Sequence, residues 1–432
     1  MLSSEIREHL ENTIIPFWKS LKDNRYGGFY GFMDEGLQLD RKADKGCILN
    51  SRILWFFSSA ARVLGREDLR AFADHAYRFL NRFEDPVYGG VYWSVTYDGR
   101  PSDTTKHTYC QAFALYGLAA YCRLTGNPEA LEKAMALFRI MESRFREPAG
   151  YREALKADLS PETNEKLSEN GILAGRTMNT LLHVTEAYAE LYRAFPDRKV
   201  RECGIAALKQ FLDAVYCPEK HRMEVFFDAG FRPLLDMQSY GHDIEGSWLL
   251  WDAAEIFLPE EEREPWKNMC LDLLESVTER AFTDHGLHYE VVNGRLNTVR
   301  AWWPQAEAML GFEFGWRLTK DPVWLDRLGT QWQYVLHTFV DARENSEWFN
   351  ELQENGSTLG KPMVDEWKCP YHNGRMCLRL LEADCPVPSG AGEERTGDYG
   401  GQKADHAGYR QTGGDQCGDG IQGHGGKDRN ER

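Results

Sequence analysis

One pattern recurs along this chain. An apolar helical stretch is followed by a short turn of Gly, Asp or Pro, then a more amphipathic helical stretch, then a Gly–aromatic segment. ILNSRILWFFSSAARVL leads into GREDLRAFADHAYRFLNRF and YGGVYWSVTYDGRP, and HTYCQAFALYGLAAYCRL into GNPEALEKAMALFRIMESRF. RTMNTLLHVTEAYAELYRAF leads into DRKVRECGIAALKQFLDAVY, and SYGHDIEGSWLLWDAAEIFL into EEREPWKNMCLDLLESVTERAF and GLHYEVVNGR. AWWPQAEAMLGFEFGWRL leads into DPVWLDRLGTQWQYVLHTF, and a last apolar helix starts near HNGRMCLRLLEA. The first helix, SEIREHLENTIIPFWKSL, has no preceding partner and can pair with that last one.

A helix apolar most of the way round is buried, whereas one with a polar face lies outside. Repeated helical hairpins build a solenoid or a closed ring. An open solenoid needs polar capping repeats at both ends, and none stands out. Six pairs with complementary ends predict closure: an all-α (α/α)6 barrel of inner and outer helices. GGFYGF, GGVYW and LHYEVV alternate like strands and predict short β-hairpins at one rim. The barrel is expected to be one domain over residues 1–385. From about Pro386 the chain is rich in Gly and charge and nearly free of aliphatics, so residues 386–432 are expected to be a disordered tail.

Composition excludes several functions. The net charge of −16 argues against a nucleic-acid partner, which requires clustered Lys and Arg. No run approaches a membrane span, and the charged, amphipathic N-terminus does not read as a signal peptide. Ten scattered cysteines without a CxxC pair fit free thiols in a reducing cytoplasm.

Each inner helix carries conspicuous residues near its start: Arg52; His107 and Tyr109; Asn179 and His183; His242 and Glu245; Trp302 and Trp303; His372. In a closed ring these starts converge on one end of the central cavity. Buried ionisable groups are costly unless paired, so their convergence points to a polar, aromatic-lined pocket. Each also has a plainer reading. Arg52 could bridge a carboxylate, His183 could be a satisfied core histidine, and His107 could cap its helix. Trp302 and Trp303 are consecutive on a helix, so at least one is expected to pack.

His242 and Glu245 are three apart and share a helix face. They read either as a helix terminus or as a histidine tuned by a carboxylate for proton transfer. Metal ligation has poor support: the order is His242-x-x-Glu245, taken as a single occurrence, and the nearest acid to His372, Asp365, lies outside its helix.

KADKGCILNSRILWFFSSA, KHTYCQAFALYGLAAY, RTMNTLLHVTEAYAELY, SYGHDIEGSWLL, VRAWWPQAEAMLGF and WKCPYHNGRMC resemble the cellobiose 2-epimerases of the N-acylglucosamine 2-epimerase superfamily, in order from about residue 1 to residue 384. The last two motifs resemble the cellobiose branch in particular. The resemblance implies an (α/α)6 barrel and reversible epimerisation at C2 of the reducing-end glucose of β-1,4-linked disaccharides. Cellobiose would give glucosyl-mannose, and lactose epilactose. No cofactor or metal is implied. The only partner is the disaccharide, with the chain a monomer or weak homo-oligomer.

By the same resemblance, His242 and His372 are the proton-transfer pair, with His372 also helping ring opening. Glu245 is expected to accept a hydrogen bond from His242, and Arg52 to stabilise charge on O1 and O2 of an enediolate. Tyr109, Asn179 and His183 would bind sugar hydroxyls, while Trp367 and one of Trp302 and Trp303, preferably Trp303, would stack on sugar rings. Three alternatives stand beside this reading: a glycoside hydrolase, which needs two carboxylates across a glycosidic bond; a monosaccharide or N-acylglucosamine 2-epimerase or mannose isomerase of the same superfamily; and a non-catalytic sugar-binding barrel.

Overall fold

The computed structural model describes residues 2–168 and 170–383. The Gly-rich segment from residue 386 therefore lies outside the described residues.

Helices dominate. α1 (Leu2–His9) and α2 (Ile15–Ser20) are joined by a π-helical turn and form one outer element. Then come α3 (Cys47–Leu64) and α4 (Glu67–Leu80), α5 (Thr108–Thr125) and α6 (Pro128–Ile140), and α7 (Met178–Ala194) and α8 (Arg198–Gln210). α9 (Tyr240–Phe257) and α10 (Glu264–Ala281), α11 (Trp302–Thr319) and α12 (Val323–Tyr334), and finally α13 (His372–Ala383) complete the described chain.

The odd-numbered helices from α3 to α13 form the inner ring, each packing on the next. α13 closes the ring against α3, and α1 packs outside α13. Closure excludes the open solenoid and confirms the pairing of first and last helices. The physical basis is burial. Every residue of α3 from Cys47 to Ala61 is buried, as is every residue of α5 from Thr108 to Cys122. The outer α4 buries only one stripe, including Leu69, Ala73, Ala76 and Leu80. α3 and α5 approach closely at Gly117, where a Cβ would meet the Ser51 carbonyl at 2.6 Å. α5 ends at Gly126, whose left-handed φ of 67° suits a residue without a side chain.

A two- or three-residue strand precedes each inner helix from α3 to α11 and pairs with a following segment, as Lys45–Gly46 does with Ser94–Val95. The fourth residue of four inner helices pins such a rim segment: Asn50, Gln111, Asp243 and Gln305 accept the backbone N–H of Phe29, Val91, Met223 and Leu287 at 2.7–3.0 Å. Buried ion pairs add to this, with Lys45 Nζ 2.7 Å from Asp23 and Lys106 Nζ 2.6 Å from Asp85. The rim therefore stands over the N-terminal ends of the inner helices.

The C-terminal ends meet at the other side. Arg123 pairs with Glu190, Arg193 and Arg379 both pair with Asp252, and Arg62 pairs with Glu382. Aligned helices gather their negative dipole ends there, and arginines in the last turns compensate them.

Candidate active site

The sixth residue of α3, α5, α7, α9 and α11 is Arg52, Phe113, His183, Glu245 and Glu307. One turn earlier lie Tyr109, Asn179, His242 and Trp303, while His372 opens α13. These positions cluster at the rim end of the barrel, around the N-termini of the inner helices. Each inner helix also directs its N-terminus there, equivalent to roughly half a positive charge within the first turn. Negative charge developing on a ligand is stabilised in such a place.

Arg52 is buried and touches no carboxylate. Its Nη2 donates to the Tyr109 hydroxyl at 2.7 Å and its Nη1 to the Trp367 carbonyl at 3.4 Å. The guanidinium lies 4.0 Å from the Phe113 ring centre and 4.5 Å from that of Tyr371. Its Nε is buried without a hydrogen-bond partner, as is Asn179 Oδ1. His183 and Tyr109 meet edge to face at 5.1 Å, and Tyr109 and Trp367 at 5.9 Å. Arg52, Tyr109, His183 and Trp367 thus form one wall.

A second group, joined to the first through Tyr371, holds the two predicted proton-transfer histidines. The Trp303 ring lies 4.7 Å from that of His242 and 5.5 Å from that of His372, so both imidazoles flank one indole. Trp303 is partly exposed, whereas Trp302 is buried, lies 5.7 Å from His372 and carries Lys368 over its face. The preference for Trp303 as the stacking face is consistent with this exposure.

The expected pairing of His242 with Glu245 does not occur. His242 Nδ1 bonds the Ser239 hydroxyl at 2.7 Å. Glu245 Oε1 instead accepts from Arg375 Nη2 at 2.6 Å. A guanidinium carries full charge and directs donors at a carboxylate, so it outcompetes a neutral imidazole for the same oxygen. His372 does have a carboxylate partner, and it is not Asp365: Glu307 Oε1 lies 2.6 Å from His372 Nδ1. His107 caps α5, its Nδ1 accepting from Tyr109 N at 3.2 Å, as the plainer reading expected.

Sequence reasoning passed over the centre of the network. Arg375, fully buried, donates to Glu186 Oε1 at 2.6 Å and to Glu307 Oε1 at 2.8 Å as well as to Glu245. Glu186 Oε2 pairs with His183 Nδ1 at 2.9 Å and accepts from Tyr371. Trp248 donates its indole N–H to Glu307 Oε2 at 2.9 Å. The available signal was a second His-x-x-Glu, His183-x-x-Glu186, together with an arginine one turn after His372. Glu245, Glu307 and His372 each bring one ligand atom within 4.8 Å of the others, close enough to share a cation. The cation between the two carboxylates is the Arg375 guanidinium.

Electrostatics follow from this packing. Burial, aided by the neighbouring Glu307, pushes Glu245 up to about 7. Burial also raises Glu307, against the pull of Arg375. Burial would raise Glu186 too, but Arg375 and His183 outweigh it and bring it down to about 2. Burial, with His183 second, lowers His242 to about 3, and burial followed by Arg375 holds His372 well below the usual imidazole range. Burial therefore favours the neutral form of both imidazoles, each with one ring nitrogen engaged, His242 by Ser239 and His372 by Glu307. The arrangement can remove and return a carbon-bound proton without a nucleophile.

The family model for N-acylglucosamine 2-epimerase (GlcNAc 2-epimerase) matches residues 27–373. The cellobiose 2-epimerase of Eubacterium cellulosolvens is 45% identical over 405 residues, covering 90% of this chain and 100% of that protein. A crystal structure of a sugar epimerase from a ruminal bacterium superposes with a TM-score of 0.88 at 42% identity, covering 90% of this chain and 100% of the other. The structure of cellobiose 2-epimerase from Bacillus thermoamylovorans gives a TM-score of 0.86 at 39% identity, covering 88% and 99%.

Proposed function

The chain belongs to the N-acylglucosamine 2-epimerase family and is a carbohydrate epimerase, and from that premise we propose that it acts as a cellobiose 2-epimerase. Its substrates are β-1,4-linked disaccharides, interconverted at C2 of the reducing-end glucose: cellobiose with glucosyl-mannose, lactose with epilactose. The observation that carries this reading is the pair of buried imidazoles, His242 and His372, whose ring centres lie 4.7 and 5.5 Å from that of Trp303.

A sugar C2–H becomes acidic only once C1 is an open-chain aldehyde. His372 assists ring opening, and one of the two histidines then takes the C2 proton. The electrons move into an enediolate, and the other histidine, protonated from solvent, delivers its proton to the opposite face while the first releases its proton to solvent. Burial of the two imidazoles depresses their pKa values. As negative charge appears on O1 and O2, each imidazolium gains an opposite charge nearby and its basicity rises. Arg52 and the converging helix N-termini stabilise that charge in place. Asn179 and His183 hold sugar hydroxyls, Trp303 covers the reacting ring and Trp367 the second. Glu245 acts through Arg375 rather than on His242.

Two observations weigh against the hydrolase reading. The buried carboxylates of Glu186, Glu245 and Glu307 are all bound to one guanidinium, and imidazoles occupy the positions facing the indole. Every residue of the proposed site lies between Arg52 and Arg375 of a single chain. This supports a catalytic domain within residues 1–385 and a monomer or weak homo-oligomer sufficient for activity. The cysteines described are free thiols, in keeping with a cytoplasmic location, and no described helix is long and apolar enough to cross a membrane.

The test is incubation with cellobiose in deuterated water. The expected product is glucosyl-mannose carrying deuterium at C2. Free glucose would point to hydrolysis, and turnover of mannose or N-acetylglucosamine in preference to lactose would move the assignment within the family.

A further inference from the structure

Resting on the epimerase reading, we propose that Arg375 is a positioning residue for the proton transfer: by bridging Glu186, Glu245 and Glu307 it keeps Glu307 a carboxylate, which fixes the proton of His372 on Nδ1 and leaves Nε2 free as the base.

The geometry is specific. Arg375 lies one turn beyond His372 on α13 and reaches three carboxylates from three successive inner helices, α7, α9 and α11, at 2.6, 2.6 and 2.8 Å. Its Nη2 and His372 Nδ1 meet at the same oxygen, Glu307 Oε1. That atom accepts from the imidazole most strongly while Glu307 is ionised, and becomes a donor to it if it takes up the proton itself. Glu307 is buried, and Glu245 and Glu186 crowd the same space, so three acids with a single guanidinium among them already hold more negative charge than the site readily tolerates. Without Arg375, Glu307 takes up a proton and becomes a donor. It then donates to His372 Nδ1, the imidazole proton moves to Nε2, and the base has lost its lone pair. A guanidinium in the core therefore sets the tautomer of a histidine that it does not itself touch.

The groups facing this cluster are Arg52 from α3, Tyr116 from α5, His183 and Glu186 from α7, His242 and Glu245 from α9, Glu307 from α11, and Tyr371 beside His372. A continuous chain of contacts runs from His183 through Glu186, Arg375 and Glu307 to His372. A purely architectural arginine would tie the helices together equally well, yet would leave the tautomer indifferent to its presence.

Two measurements test this. The first uses the unaltered protein with ¹⁵N-labelled histidine, its His372 signals assigned by their loss in His372→Gln. The expected spectrum at neutral pH has a protonated Nδ1 and an unprotonated Nε2. A proton on Nε2 would overturn the proposal, and this result does not depend on which sugar is turned over or on any Arg375 variant folding. The second is a double-mutant cycle of Arg375→Lys and Glu307→Gln on kcat. Each single change is expected to lower kcat at least about tenfold with KM altered less than about threefold, and the double variant should fall no further than the worse single. Multiplying losses, or an Arg375→Lys variant of full activity, would show that Arg375 does not act through Glu307. Failure of the unaltered protein to epimerise any disaccharide would instead sink the epimerase reading, leaving the spectrum to judge Arg375.

Discussion

Glu245 Oε1 lies 2.6 Å from Nη2 of Arg375, on a helix that arrives 130 residues later in the chain, and the histidine one turn before it on its own helix bonds Ser239 instead. The two imidazoles proposed for proton transfer are therefore held differently. A hydroxyl holds His242, and a carboxylate holds His372.

The first prediction concerns the imidazoles. His242→Ala and His372→Ala should each lower kcat by at least about 10²-fold while leaving circular dichroism and thermal unfolding near those of the parent, since positioned acid–base groups contribute about that much. Retention of more than a tenth of the activity by either variant would remove that histidine from proton transfer.

Ser239 supplies the second. Replacing it with Ala frees His242 Nδ1 to rotate or change tautomer, so kcat should fall by about tenfold with KM little changed, as for other outer partners of functional histidines. A rise in KM alone would place Ser239 in sugar binding.

Glu245 should behave as part of a buried charge cluster. Glu245→Ala removes one of three anions around Arg375 but leaves Glu186 and Glu307 to pair with it, so it should cost only part of the roughly 3–5 kcal/mol of a buried charge left uncompensated. A measurable drop in unfolding midpoint should accompany its loss of activity, whereas a fully stable Glu245→Ala variant would return the residue to a direct chemical role.

Away from the cavity, His9 Nε2 accepts the Trp348 indole N–H at 2.7 Å, and burial brings its pKa down to about 4. The unfolded chain takes up a proton near pH 6.5 while the folded chain resists it. Acid therefore favours unfolding, and this contribution is lost as pH falls from about 6.5 towards 4, at roughly 1.4 kcal/mol per pH unit at most. Urea unfolding from pH 7 to pH 4 should show a shallower acid loss for His9→Gln, whose amide oxygen can still accept from Trp348. Identical slopes would count against burial of His9 in its neutral form.

Trp367 forms the wall next to Arg52 and Tyr109. On the disaccharide reading, Trp367→Ala should raise KM for cellobiose by about tenfold, equivalent to about 1.4 kcal/mol, with a smaller change in kcat. An unchanged KM would mean that the second sugar lies elsewhere.

Much of the architecture was legible in the residues. Periodicity separates the wholly apolar α3 and α5 from the one-faced α4, and that contrast is enough to sort inner helices from outer ones. The placement of the proposed site residues was legible too: Arg52, Tyr109, Asn179, His183, His242, Trp303 and His372 all sit in the first two turns of inner helices, where polar residues stand out against an apolar background. Glu307 and Arg375 did not stand out in the same way. Each is one charge inside a helical run with no local partner to mark its purpose.

Helical spacing thus determined which side chains share a face, and the alternation of apolar and amphipathic helices determined that the faces meet in a ring. Which carboxylate serves which base was decided only when the ring closed. Proximity along a helix guarantees a neighbour, not a bond. Once α13 delivers a permanent cation among three acids, electrostatics assigns the partners: the guanidinium takes Glu245, Glu307 is shared with His372, and His242 is left to a serine.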